Sequence, residues 1–409
     1  MLGSLASGET RVHGFLPGED CLATLAAMRS MGIEVQRPAA DSLILRGGGL
    51  RGLKRPAGDL DMGNSGTAMR LFAGLLAGQS FDTRLIGDES LSRRPMERVA
   101  APLRQMGADI TTRNGLPPVS VTGGRRLRGI AYRLPVASAQ IKSAILLAGL
   151  FAEGDTEVIE PAVSRDHTER MLAAFAQPVR RSANSVSLTP TGGLQATLVN
   201  VPGDLSSAAF PVLAALIAGN ADVSIDNVGL NPSRTGVLEI FRLMGANIDI
   251  EPLDTGSGME PVGRLRIRAS ALQGIQVPPA LVPLAIDEFP AVFIAAAMAA
   301  GETVVSGAEE LRHKESDRIR VMADGLRALG IDVEETADGA RIRGGTMTGG
   351  TIDSHGDHRV AMAFAVAAMR ASGPIRILDT DNVATSFPGF VRLACDIGMD
   401  VAESNGSPR

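Results

Sequence analysis

Asn64–Gly78 reads NSGTAMRLFAGLLAG, a polar, glycine-bearing lead followed by an almost wholly apolar run that stops at a glycine. A helix that is apolar on all sides has to be buried. Its first turn carries backbone N–H groups without intrahelical partners, and Gly66 lets a ligand come close to them. A buried helix with an open, donor-rich start is suited to an anion. The design recurs as SAQIKSAILLAGLFAEG (138–154), SSAAFPVLAALIAG (206–219), DEFPAVFIAAAMAAG (287–301) and DHRVAMAFAVAAMRASG (357–373), and MLGSLASG at the front reads as the tail of one more copy. The reading predicts repeats that aim several helix starts at one phosphate-rich pocket.

After each apolar helix comes a short alternating segment: ETRVHGF (9–15), FDTRLIG (81–87), DTEVIEP (155–161), ADVSIDNV (221–228), ETVVSGA (302–308) and PIRILDT (374–380). Each leads into a second helix with a shared ending: MRSMGIEV (28–35), LRQMGADI (103–110), FRLMGANI (241–248), LRALGIDV (326–333) and ACDIGMDV (394–401). The glycine there is a left-handed helix stop, and the alternating residues after it form a strand. A sixth version, LAAFAQPV (172–179), lacks the glycine, and Pro178 is expected to break the helix instead. Six copies at roughly 70-residue intervals give an α/β protein of repeated units. They are longer than the roughly 20–45 residues usual in solenoids. The expectation is therefore two domains, each of three βαβαββ repeats with buried parallel helices, running 1–202 and 203–409. The seam falls near Val201–Asp204 (VPGD), where Pro and Gly punctuate the chain. The first copy begins inside its buried helix, so its polar lead and the strand before it are expected to be missing.

At 409 residues, two or three domains with sizeable cores are expected. The net charge of −5 and an aromatic content of 3% without Trp argue against a nucleic-acid or membrane surface. Anion binding must then be local, by a few placed Arg and Lys. Cys21 and Cys395 lack metal-ligand spacing and sit in apolar contexts, so both are expected as small core residues. No uncharged apolar run reaches the roughly 18 residues of a membrane span, and no secretion signal is visible. A cytoplasmic protein is expected.

Arg70, Arg94, Arg318 and Arg359 are the candidate anion contacts, since a guanidinium forks onto carboxylate and phosphate alike. Arg94 follows a strand and turn, and Arg359 opens a helix. In LRHKESDRIR (311–320), Lys314 and Arg318 are four apart and are expected to share a helix face, with Glu315 beside them. That block reads equally as a solvated, salt-bridged helix start. Asp287 and Glu288 precede Pro290 at a helix start, a common capping arrangement. Near several cations Asp287 could also serve as a general base and Glu315 as an acid. Ser138, Ser164, Ser206, Ser207 and Gln140 fall where hydroxyl and amide groups cap helices or bind phosphate. His167 and His358 are expected to make local hydrogen bonds. Serine-triad, zinc, phosphate-loop and dinucleotide motifs are absent from the sequence.

NSGTAMR (64–70), RRPM (93–96), ASAQIKSA (137–144), SRDHTE (164–169), NPSRTG (231–236), IDEFP (286–290), KESDR (314–318), GDHRVAM (356–362) and ATSFP (384–388) together resemble the 5-enolpyruvylshikimate-3-phosphate synthase family, in order and over the whole chain. The resemblance implies an inverted pair of three-repeat domains closing over the ligands. It implies transfer of the enolpyruvyl group of phosphoenolpyruvate to the 5-hydroxyl of shikimate 3-phosphate, with release of phosphate. Ser138, Ala139, Gln140, Ser164 and Lys314 would hold shikimate 3-phosphate, joined by Arg165 and Glu310. Asn64, Gly66, Arg94, Arg318 and Arg359 would line the phosphoenolpyruvate site. Asp287 would accept the hydroxyl proton, and Glu315 would handle the proton added to the methylene carbon. It implies no cofactor and no metal, a monomer, and glyphosate as inhibitor, with Gly66 predicting sensitivity.

Three departures from the family pattern accompany this. A Lys-Ser-x-x-x-Arg segment expected before Met1 is not in the sequence, and with it absent little or no synthase activity is expected. Thr385 stands where other members carry a lysine, and Ala139 replaces one of two adjacent serines. The rival of the same chemistry is a UDP-N-acetylglucosamine enolpyruvyl transferase, whose usual loop cysteine has no counterpart in GDESLSRRPM. The rival of another class is a non-catalytic remnant. A role like that of the RNA-end cyclases is disfavoured by charge and aromatic content.

Overall fold

The computed structural model describes residues 1–253 and 259–403. Five long interior helices form where the apolar runs predict them: α1 (Gly66–Ala77), α2 (Ala139–Gly149), α3 (Leu205–Ile217), α4 (Phe289–Met298) and α5 (His358–Ala367). Every residue of α4 up to Ala297 is buried, as an all-round apolar sequence requires. Leu2–Leu5, also buried, is a single helical turn at the front. The chain divides into two compact units, Met1–Val201 with Gly256–Glu260, and Pro202–Thr255 with Pro261–Arg409. Each has its own apolar cluster, and the two clusters share no residue.

In the first unit, Ala6–His13 runs antiparallel to Ser42–Gly48, which pairs in turn with Glu34–Ala39. The free edge of Ala6–His13 takes up Leu194–Gln195 and Leu198–Asn200 in parallel, so strands of the third repeat complete the sheet of the first. Two four-stranded sheets belong to the second and third repeats. Helices α1 and α2 pack against each other inside these sheets. A Cβ on Gly74 would run into the backbone carbonyl of Ala144, so this approach needs glycine. In the second unit, α3, α4 and α5 pack together beneath sheets of three, three and two strands.

In five of the six repeats the second helix ends at the glycine its sequence predicts. Gly32, Gly107, Gly245, Gly330 and Gly398 all adopt positive φ, between 85° and 96°. Three expectations need correction. In LAAFAQPV the stop is Ala176, at φ 63°, which takes the glycine's place two residues ahead of Pro178. The helix has already ended at Ala174. After Gly398, residues 399–403 form no strand. Cys395 is exposed and Cys21 half-buried, so neither is a core residue. Among the described residues no helix is long and apolar enough to cross a membrane.

Candidate functional site

In the first unit, the lead into α1 is closed by Ser65, whose Oγ accepts from the N–H of Ala68 at 3.2 Å. Beside it Arg94, at the end of the turn Leu91–Arg93, donates to Asn64 Oδ1 at 2.6 Å and to Ser90 Oγ at 3.3 Å. Asn64 is itself fixed by donating to Asp88 at 2.7 Å. Arg70, one turn into α1, donates to Gln140 Oε1 at 2.6 Å and to the Pro95 carbonyl at 3.3 Å. Gln140 then donates to Thr67 Oγ1 at 2.8 Å, which ties the starts of α1 and α2 together. Arg70 is pushed down to about 10, by burial and then by repulsion from Arg94 and Arg98. Both guanidiniums that flank Gly66 therefore face neutral acceptors. A cation so placed keeps its charge available to an anion. A Cβ on Gly66 would lie 3.0 Å from Arg70 Nη1 and 3.4 Å from Arg94 Nη1.

Ser138 caps α2, accepting from the N–H of Ile141 at 3.5 Å, and Ala139 and Gln140 form its first turn. One turn on, Lys142 is 1% exposed and sits 2.9 Å from Glu160 and 2.8 Å from Glu169. The hydroxyl of Ser164 donates to Glu160. Asp166 is held by Arg170 at 2.9 Å and Arg181 at 2.7 Å, which pins the SRDHTE turn carrying Ser164 and Arg165. His167 lies 2.7 Å from a carboxylate oxygen of Glu260, far away in the sequence, so its bond is not local.

In the second unit the helix starts carry carboxylates. Asp204 caps α3 through the N–H groups of Ser206 and Ser207. Asp357 caps α5, accepting from Arg359 N at 2.9 Å and Val360 N at 3.4 Å. Glu288 stands at the capping position of α4 but makes no cap bond. Instead its buried carboxylate accepts from Ser206 and lies 3.8 Å from both Arg234 and Arg359. Arg234 reaches the same place from NPSRTG, bonding Asp204 at 2.9 Å and Ser206. Burial, with Asp287 adding to it, pushes the Glu288 carboxyl up against the pull of Arg359 and Arg234.

Lys314 and Arg318 do not share a helix. Glu309–His313 is a short 3₁₀ turn, Lys314 is extended, and the helix starts at Arg318 behind its cap Asp317. Arg312 sets this course, bonding Asp317 at 2.7 Å, Glu335 at 2.9 Å and the Ala337 carbonyl at 2.7 Å. The two cations meet nonetheless at Asp287, Lys314 at 3.4 Å and Arg318 at 3.5 Å. Lys314 also pairs with Glu310 at 2.6 Å. Arg318, 1% exposed, donates to Asp357 at 2.8 Å and Glu315 at 2.6 Å. Arg359 donates to the Asp287 carbonyl at 3.2 Å. Burial pushes the Glu315 carboxyl up, but Arg318, a backbone hydrogen bond and His358 together hold the group below the usual carboxylate range. Thr385 uses its hydroxyl locally, donating to the Asn382 carbonyl at 2.7 Å.

The candidate residues thus fall into two groups, one in each unit. Asn64, Gly66, Arg94, Ser138, Ala139, Gln140, Ser164 and Arg165 lie in the first unit; Asp287, Glu310, Lys314, Glu315, Arg318 and Arg359 lie in the second. Sequence reasoning missed Glu160 as a partner of Ser164 and Asp357 as the anchor of Arg318. Lys142 carried a signal for the first, being the single charge in SAQIKSAILLAG, and a buried ammonium requires carboxylates.

A family profile described as EPSP synthase (3-phosphoshikimate 1-carboxyvinyltransferase) matches residues 1–393. The chain is 60% identical over 406 residues to a protein of Methylococcus capsulatus named 3-phosphoshikimate 1-carboxyvinyltransferase, covering 99% of this chain and 92% of that one. A protein of the same name from Nitrosococcus oceani is 57% identical, with 98% and 90% covered. A solved structure of EPSP synthase from Acinetobacter baumannii superposes with a TM-score of 0.90 at 54% identity, covering 98% of this chain and 92% of that one.

Proposed function

Since this chain belongs to the EPSP synthase family, we propose that it transfers the 1-carboxyvinyl group of phosphoenolpyruvate to the 5-hydroxyl of shikimate 3-phosphate and releases phosphate. The observation that carries the proton chemistry is Asp287, a carboxylate with Lys314 at 3.4 Å and Arg318 at 3.5 Å. Asp287 takes the hydroxyl proton as that oxygen attacks the enol carbon, and the methylene carbon gains a proton. Phosphate then leaves as that carbon loses a proton again, which restores the double bond. Glu315 handles the second proton. Held ionised at rest by Arg318, it must first take one up, and an anionic substrate beside it favours that uptake.

Arg94 and Arg70, facing neutral groups, take the phosphate of phosphoenolpyruvate at the start of α1, with Asn64 and Gly66. Arg318 and Arg359 take its carboxylate. Ser138, Ala139, Gln140, Ser164, Arg165, Lys314 and Glu310 serve shikimate 3-phosphate. The reading includes domains at 1–202 and 203–409, glyphosate as an inhibitor and a cytoplasmic monomer.

Thermal-shift titration tests the substrate. Shikimate 3-phosphate at about 100 times its Kd should stabilise the chain by about 2.7 kcal/mol, and UDP-N-acetylglucosamine should not. Stabilisation by the UDP-sugar alone overturns the reading. Asp287→Asn tests the base: stabilisation by shikimate 3-phosphate should persist while phosphate release falls about 10²–10⁴-fold.

A further inference from the structure

Glu288 stands just ahead of α4 and is 2% exposed, and its Oε1 faces Ser206 and two arginines. A guanidinium can only donate and a carboxylate can only accept. Arg234 Nη2 therefore donates to the Ser206 hydroxyl, and the one proton of that hydroxyl goes to Glu288. Arg234 is fixed in turn by Asp204, 2.9 Å away. Arg359 is placed differently. Its Nη1 donates to the Asp287 carbonyl at 3.2 Å and stops 3.8 Å short of Glu288 Oε1, beyond hydrogen-bond distance. Arg318, by contrast, bonds Asp357 at 2.8 Å and Glu315 at 2.6 Å.

The gap between Glu288 and Arg359 has to be held open. Opposite charges away from water attract strongly, and Arg359 pulls the Glu288 carboxyl towards ionisation more than Arg234 does. A movement of about 1 Å would bring the pair to the ~2.8 Å of a charge-assisted bond. Arg359 would then commit a further donor to the protein, and its charge would be matched more closely by Glu288. What opposes the movement is the Ser206 hydroxyl, itself buried and anchored on the first turn of α3, which holds the same oxygen of Glu288.

We infer that Ser206, oriented by Arg234, is a positioning residue that holds the Glu288 carboxylate off Arg359 and so keeps this arginine open to an anionic ligand. The inference deepens the function proposed above and rests on phosphoenolpyruvate being the anion that Arg359 takes. Calorimetric titration with phosphoenolpyruvate, and separately with shikimate 3-phosphate, tests it. Ser206→Ala frees Glu288 to close on Arg359. Kd for phosphoenolpyruvate should then rise about tenfold, the scale of one charge-assisted hydrogen bond, while Kd for shikimate 3-phosphate stays near the parental value. Adding Glu288→Gln removes the charge that captures Arg359, so the double variant should bind phosphoenolpyruvate at least about threefold tighter than Ser206→Ala alone. A serine with a merely structural role would not be rescued in this way. Parental affinity in Ser206→Ala, or a double variant no tighter than Ser206→Ala, overturns the inference. Should Ser206→Ala not fold, Arg234→Met is read in its place, alone and with Glu288→Gln, and the same two results decide. A parent chain that takes up shikimate 3-phosphate but not phosphoenolpyruvate overturns the inference alone. One that binds neither overturns the proposed function as well, an outcome visible before any variant is made.

Discussion

At Gly66 a single methyl group decides how two cations lie. Its hydrogen leaves Arg70 Nη1 and Arg94 Nη1 where a Cβ would press on both, at 3.0 and 3.4 Å. Gly66→Ala should therefore displace the guanidiniums by a few tenths of an ångström. We expect glyphosate inhibition curves to shift to higher concentration in the variant and KM for phosphoenolpyruvate to rise with them. His358 offers a second test. Burial, then repulsion from Arg359 and Arg318, pushes it down to about 4 against the pull of Asp357 and Glu315. The unfolded chain binds this proton near 6.5 and the folded chain only near 4. The folded state then binds fewer protons between these values, so the contribution is complete above about 6.5 and is lost as pH falls towards 4. Tm of the parent should consequently drop more steeply over that window than Tm of His358→Asn, in which position 358 no longer titrates. Parallel curves would show that His358 is not the titrating group.

Two features of the repeated elements can be weighed by substitution. Gly74→Ala places a methyl group against the Ala144 carbonyl and must separate α1 from α2, at a cost of about 1–3 kcal/mol or more. The second feature is a buried threonine in the strands that follow the Leu2–Leu5 turn, α1 and α2. The hydroxyls of Thr10, Thr83 and Thr156 have no hydrogen-bond partner, whereas Thr303 in the fifth repeat accepts from Ile275 N at 3.4 Å. A buried unpaired hydroxyl is destabilising. Thr156→Val should raise stability by about 1 kcal/mol in denaturant unfolding, and Thr303→Val should not.

Across the whole molecule the two units differ in how their cations are balanced. In the first, serines cap α1 and α2, and Arg70 and Arg94 face neutral acceptors. In the second, Asp204 and Asp357 cap helices, and Arg234 and Arg318 grip them. In the function proposed above, cations of both units bind anions, and the second unit also supplies the carboxylates, Asp287 and Glu315, that move protons. The cores are also separate in membership. Hydrogen exchange in Gly74→Ala should thus quicken in α1 and α2 and stay near parental rates in α3, α4 and α5, as distant substitutions act independently. Equal acceleration in both sets would contradict this.

Sequence alone determined the interior helices, because an all-apolar run between a polar lead and a glycine can only be satisfied by burial on every side. It also determined the glycine stops and, through motifs in order along the chain, the family. Ala176 marks where that reading fails: the repeated backbone turn imposes positive φ on a residue whose identity does not announce it. What only the tertiary structure decided was which charges meet. Lys314 and Arg318 converge on Asp287 although they share no helix, because Arg312 and Asp317 redirect the backbone between them. Lys142 finds Glu160, Ser164 turns its proton inward, and Asp357 anchors Arg318. Periodicity reports how each segment faces its own core, but ion pairs between segments far apart in the chain depend on packing that no local pattern encodes.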